Sequence, residues 1–258
     1  MSDIDAKVLA EIRRAAFELR MTDPNEAVRI LRRAAAEGGG AEVLARGALG
    51  EIYLEEFGDL DGAEHEFRAV LRAVPELAAA EVGLARVLHE SGDRRGELDA
   101  LGRAIAGLSR DVRSFRERNA AGEPLPAGVE EVVLTLLEIA VARASLDPQT
   151  ALNEDLVQWA ADERLFDALR DEDESPREDW VRFHSIWSRF RQLTGRAAEA
   201  ARTLADAEAN GQLPAEDAAP LRRDALLAAG DAAGADAQAK RLEALEAARN
   251  LVPLGVKH

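Results

Sequence analysis

The strongest constraint on this chain is a spaced trio that returns along its length: a small residue, then apolar residues four and seven positions later. It reads Ala27, Leu31, Ala34; Ala63, Phe67, Val70; Ala200, Leu204, Ala207; and Ala235, Ala239, Leu242. Positions i, i+4 and i+7 share one face of an α-helix. One such face cannot shield itself, so its recurrence demands a neighbouring helix pair at each return. Between the trios, Gly38-Gly39-Gly40, Gly58-Asp59, Gly92-Asp93, Gly195 and Gly230-Asp231 interrupt the periodicity as helix stops. Asp23-Pro24, Asp147-Pro148 and Ser175-Pro176 set a capping side chain before a proline, the signature of a helix start.

About twelve helices follow from this punctuation, paired as hairpins over 4–37, 41–74, 77–118, 127–170, 176–209 and 217–250. Second helices are expected to begin near 24, 60, 94, 148, 196 and 231, at a spacing of about 34 residues apart from two longer intervals. One excess falls on 119–128, small and helix-breaking, which reads as a flexible connector between an N-terminal set of repeats (1–118) and a C-terminal, more divergent set (129–258). The other falls on the charged loop 171–176. Segment 154–179 holds eleven acids and three bases, half of the net charge of −16.

The best-matched stretch, Leu49, Gly50, Tyr53, Gly58, Asp59, Ala63, Phe67, Val70 and Pro75, resembles a tetratricopeptide repeat with one extra residue between Tyr53 and Gly58. A second match runs through Leu84, Ala85, Leu88, Gly92, Asp93, Leu101 and Ala104, departing at Glu97 where the family has a small residue. Weaker matches are Ala27, Leu31, Ala34; Trp187, Gly195, Ala200, Leu204, Ala207; and Leu226, Gly230, Ala235, Leu242. In the hairpin 127–170, Leu152, Leu156 and Trp159 have the spacing but no small residue leads them. The resemblance implies an all-α fold, an α-solenoid of about six hairpins wound as a right-handed superhelix, whose first helices line a concave peptide-binding groove. The groove positions would be Glu51, Glu55, Arg86, His89, Arg182, Ser185 and Arg189. Family members that clamp a terminal carboxylate use Lys and Asn there. The asparagines of this chain fall elsewhere, at 25, 119, 153, 210 and 250, which sets that sub-function aside.

No residue cluster announces a reaction or a cofactor. The four histidines, 65, 89, 184 and 258, show no i, i+4 pair to grip a metal, and His65 and His184 are expected as partly exposed structural residues. Asp171, Asp173 and Ser175 imitate the start of a calcium loop, but Pro176 and Arg182 occupy the places that need glycine and a carboxylate. Gly38-Gly39-Gly40 lacks the Lys and Ser/Thr of a phosphate loop, and no nucleophile elbow is present. A bare buried carboxylate is costly, so Glu97 is expected to splay its helix or, as the second reading, to be neutralised by an Arg. Arg110, Arg113, Arg116 and Arg118 form a stripe, read as a solvated face or one docked on 154–179 rather than a nucleic-acid site, since Phe115 is its lone aromatic residue. The acidic field disfavours nucleic acid and anionic membranes. An acidic opening without an apolar run, and no cysteine, point to a cytoplasmic protein without signal or transit segment. The expectation is a non-catalytic scaffold or adaptor for a protein or peptide of basic or mixed charge. Self-assembly into a homo-oligomer is the second reading, and an enzyme using carboxylates or His184 the third.

Overall fold

A computed structural model describes residues 4–123, 129–151 and 176–251, and every regular element among them is helical. Helix α1 (6–22) begins as Ala6–Arg13, widens into a π-helical segment Arg14–Leu19 and finishes with Arg20–Thr22. It is followed by α2 (Pro24–Ala35), then by α3 (39–57), which is α-helical over Gly39–Ile52 and π-helical over Tyr53–Phe57. Next come α4 (Leu60–Ala73), α5 (Ala78–Glu90) and α6 (Arg94–Ala120). Beyond these lie α7 (Val129–Leu146), the short α8 (Pro148–Ala151), α9 (Pro176–Leu193), α10 (Ala197–Ala209), α11 (Ala215–Ala228) and α12 (Ala232–Leu251).

The extra residue between Tyr53 and Gly58 is the π-helical turn of α3. An i→i+5 ring takes in one more residue per turn than an α-helical ring, so the surplus is absorbed without breaking the helix. Gly58 then closes α3 in the left-handed conformation (φ 62°), and Asp59 caps α4 by accepting the Gly62 N–H at 3.0 Å. The same Gly-Asp-x-x-Gly device starts α6, where Asp93 accepts from Gly96 at 3.0 Å, and α12, where Asp231 accepts from Gly234 at 2.9 Å. In all three, a Cβ on the last glycine would come inside 3.0 Å of the capping carboxylate, so the third residue of each helix stays bare.

The chain divides into two units, Met1–Arg110 and Asp111–His258, with the division falling inside α6. In the first unit, consecutive helices from α1 to α5 pack in order, and the first helices of successive hairpins also touch, α1 on α3 and α3 on α5. The trios supply the core: Ala27, Leu31 and Ala34 on α2 and Ala63, Phe67 and Val70 on α4 are all buried. Phe67 is wedged between two first helices. A Cβ on Gly50 of α3 would lie 2.8 Å from its Cε1 and Cζ, and one on Gly83 of α5 2.8 Å from its Cδ1, so both helices offer bare backbone to the ring. Burial of that ring contributes about 1.5–3 kcal/mol.

In the second unit α9 packs on α7 and α10, α10 on α11 and α11 on α12, while α9 also touches α11. Trp180, Phe183, Trp187 and Phe190 bury one face of α9, and Ala200, Leu204 and Ala207 of α10 pack with Leu213, Ala218 and Ala225. Only Ala235 of the last trio is buried; Ala239 and Leu242 are half-buried. The expected connector is helical through Ala120 and turns at Ala121–Gly122. Residues 124–128, the acidic loop 171–175, the part of the hairpin 127–170 beyond Ala151 including Leu152, Leu156 and Trp159, and His258 lie outside the described residues.

One residue finds a partner that was not expected, and one expectation is corrected. Glu97 is met by His89, whose Nδ1 lies 3.1 Å from Glu97 Oε1, so the carboxylate at the small-residue position has a partner on the preceding helix. His184 is not partly exposed: it is 1% exposed, stacked on Trp180 at 5.4 Å and edge-on to Phe183 at 5.3 Å. His65 is exposed as expected.

Candidate functional site

The expected groove residues of the first unit do come together, and they are spent on one another. Arg86 of α5 donates from Nη1 to Glu51 Oε2 at 2.7 Å and from Nη2 to Glu55, both on α3. Glu55 is shared with Arg20 of α1, whose Nε also donates to Glu56 at 2.7 Å. A ladder of three carboxylates and two guanidiniums therefore crosses the first helices α1, α3 and α5. Each pair is partly exposed and individually weak, but together they hold neighbouring hairpins in register and leave little charge for a partner. Arg20 and Glu56 escape a helical-wheel reading because the π-helical segments shift the side-chain phase just where these residues stand. His89, one turn beyond Arg86, is turned to Glu97.

Deeper in the same unit, Arg103 of α6 donates to Glu81 of α5 at 2.7 Å, and Arg46 of α3 bridges Glu42 at 2.8 Å and Glu66 at 2.9 Å. The stripe on α6 begins with Arg110 paired to Glu76 rather than to the acidic segment.

In the second unit the three expected residues part company. Arg182 of α9 reaches α7, with Nη1 at 2.7 Å from Glu131 Oε2 and Nη2 at 2.9 Å from Glu138 Oε1. Those two carboxylates stand seven residues apart on one face of α7, and their hydrogen bonds hold the guanidinium firmly in its charged form. Ser185 and Arg189 instead line a cleft of about 400 Å³ between α9 and α11. Ser188 and Gln192 complete the α9 wall, and Leu221, Asp224 and Leu227 form the α11 wall.

The two walls differ in chemistry. On α9 the Gln192 side-chain amide donates to Ser188 Oγ at 3.1 Å, and the exposed Arg189 guanidinium has no ion-pair partner among the described residues. Opposite, Leu227 is 56% exposed and Leu221 half-buried against the Ala200–Ala225 core. Asp224 holds Arg223 through Oδ1 at 2.9 and 3.0 Å. The cleft thus presents a free cation and hydrogen-bonding groups on one side and a leucine edge on the other. Ser188, Gln192, Leu221, Asp224 and Leu227 were missed by sequence reasoning. Part of the signal was present, because 185, 188, 189 and 192 follow the i, i+3, i+4, i+7 rule along α9; the facing wall on α11 was not, since nothing local relates 189 to 227.

Beneath the cleft helix, Arg191 lies over the Trp187 ring at 4.7 Å from its centroid and bonds Thr203, and Arg196 stacks over Trp187 and Phe190 at 5.9 Å. Neither ring nitrogen of His184 has a hydrogen-bond partner among the described residues. Burial, reinforced by the Arg191 charge, pushes its pKa down to about 4, so the imidazole is neutral near pH 7.

Among the described residues no group of three His, Asp or Glu side chains is placed to hold a metal ion, and no helix is long and apolar enough to cross a membrane. In comparison with known proteins, no protein-family model and no curated protein matches this chain.

Proposed function

We propose that the chain is a non-catalytic interaction module, each unit a short stack of tetratricopeptide-like hairpins, and that it captures an extended or helical segment of another protein along its first helices. The observation that carries this reading is the α9–α11 cleft. It lies between the first helices of successive hairpins and joins an unpaired Arg189 to the exposed Leu227 edge. An apolar side chain of the captured segment supplies affinity at Leu221 and Leu227, and Arg189 sets register and on-rate through a carboxylate or carbonyl. The α1–α3–α5 face of the first unit, whose charges are already engaged in the ladder, acts as scaffold.

Affinity capture from native lysate with quantitative mass spectrometry tests the reading. Wild type is compared with Arg189→Glu and Leu227→Ser, two exposed positions whose substitution is expected to leave the helical circular-dichroism signal unchanged. The expected result is a set of partners depleted by both variants; identical capture by all three proteins removes the cleft as the binding surface. Arg86 is unsuitable for the same experiment, because a carboxylate there would face Glu51 and Glu55.

A further inference from the structure

Phe17 and Met21 are 77% and 74% exposed, the two most exposed large apolar side chains among the described residues. They stand four residues apart on α1, with Arg13 four residues before Phe17. In an α-helix such a series drifts round the axis, but the π-helical segment Arg14–Leu19 is wider than 3.6 residues per turn and counters that drift. Arg13, Phe17 and Met21 therefore form one outward row, with Arg14 beside its first member.

The charge around this row is unusual for the chain. Nearby arginines are paired: Arg20 with Glu55 and Glu56, Arg33 with Glu11 at 2.6 Å. Arg13 and Arg14 are exposed and carry no ion pair among the described residues. Arg14 lies within electrostatic reach of Glu26, a carboxylate already bonded by Arg29, and with Glu18 exposed on the same turn the row stays net positive, on a chain whose net charge is −16. Phenylalanine, methionine and arginine are the residue types that interfaces concentrate, and adjacent exposed apolar side chains rimmed by charge mark contact surfaces.

We propose that this row docks an amphipathic helix of a partner protein that sets carboxylates around an apolar stripe. Its apolar residues cover Phe17 and Met21, and its carboxylates neutralise Arg13 and Arg14. A second copy of the chain fits less well: a two-fold contact with parallel helices sets Arg13 and Arg14 against their own counterparts, and an antiparallel one centred on Phe17 sets Arg13 against Met21, so neither brings a carboxylate to the arginines. The row and the α9–α11 cleft belong to different units, so each proposal stands or falls separately.

The test uses the full chain and a fluorescein-labelled synthetic helix of about 18 residues, long enough to hold its fold. Leucine and phenylalanine occupy one stripe and glutamates flank it; a second peptide replaces each glutamate by lysine. Fluorescence anisotropy is expected to show saturable binding of the acidic peptide, weakening with added salt, and little binding of the basic one. Phe17→Ser/Met21→Ser and, separately, Arg13→Glu/Arg14→Glu should each weaken it roughly tenfold or more, while Arg189→Glu leaves it unchanged. All four side chains are exposed, so circular dichroism of the variants should match wild type. Absence of saturable binding, equal binding of both peptides, or undiminished binding by either double variant overturns the proposal. So does a wild-type dimer in sedimentation that Phe17→Ser/Met21→Ser dissolves, which would make a second copy the occupant.

Discussion

Gly47 and Gly83 lie inside first helices α3 and α5, and one substitution should move stability in opposite directions at the two. A Cβ at Gly47 meets nothing within 4 Å, so Gly47→Ala gains the helix-propensity difference, about 0.5–1 kcal/mol. At Gly83 the added carbon falls inside 3.0 Å of the Phe67 ring, well short of the ~3.5–4.0 Å optimum for carbon pairs. The ring is 2% exposed and cannot step back, because Gly50 abuts it from α3 at a distance that leaves no room for a Cβ there either. Overpacking of this kind costs about 1–3 kcal/mol. With contact this close the upper half of that range applies, and subtracting the propensity gain leaves a net loss of about 1–2.5 kcal/mol. Urea unfolding followed by circular dichroism should show Gly47→Ala unfolding later than wild type and Gly83→Ala earlier. Phe67→Leu removes the clashing ring edge, so Gly83→Ala should cost less in that background, with a coupling of about 0.5–3 kcal/mol. A Gly83→Ala protein as stable as wild type, or strictly additive effects of the two changes, would refute the wedge between α3 and α5.

Acid should act on the second unit through His184. Its folded pKa of about 4 lies below the ~6.5 of an unfolded histidine, so the unfolded chain binds more protons between those values. The contribution is complete above pH 6.5 and is lost as pH falls toward 4, on the order of 3 kcal/mol in all. His184→Leu should flatten stability across that window, read by the fluorescence of Trp180 and Trp187; an unchanged slope would show that the imidazole is not the group that titrates. In the first unit, Glu81 is 3% exposed, with Oε1 bonded by Arg103 and Oε2 without a partner among the described residues. Arg103→Ala strands that carboxylate and should cost about 2–4 kcal/mol, less than the ~3–5 of a fully buried broken pair because Arg103 is half exposed. Glu81→Gln/Arg103→Ala should recover most of the loss in the same melt, and no recovery would mean that packing rather than charge sets the cost.

Among the described residues the helices and their starts were legible along the chain because each rests on short-range rules. Ala63, Phe67 and Val70 share a face through helical spacing alone, and Gly58-Asp59 must break and restart a helix wherever it occurs. Second helices were expected near 24, 60, 94, 148, 196 and 231, and the observed starts are Pro24, Leu60, Arg94, Pro148, Ala197 and Ala232. Even the π-helical turn of α3 had a trace, one residue too many before Gly58. The charged positions were another matter. Glu51, Glu55 and Arg86 were correctly set on first helices as neighbours, yet their pairing with one another and with Arg20 depends on interhelical distances that no local pattern encodes.

What the amino-acid order determined by itself was thus the alphabet of elements: helical periods, caps, breaks and the faces that must be covered. The tertiary structure decided which charges remain available. It cancelled the ladder on α1, α3 and α5, turned Arg182 toward α7, buried His184, and left Arg189, Arg13 and Arg14 unpaired among the described residues. Hydrophobic periodicity is written between residues three to seven apart, whereas the ladder and the Arg182 pairs join groups 31 to 51 residues apart and exist only once packing has brought two helices together.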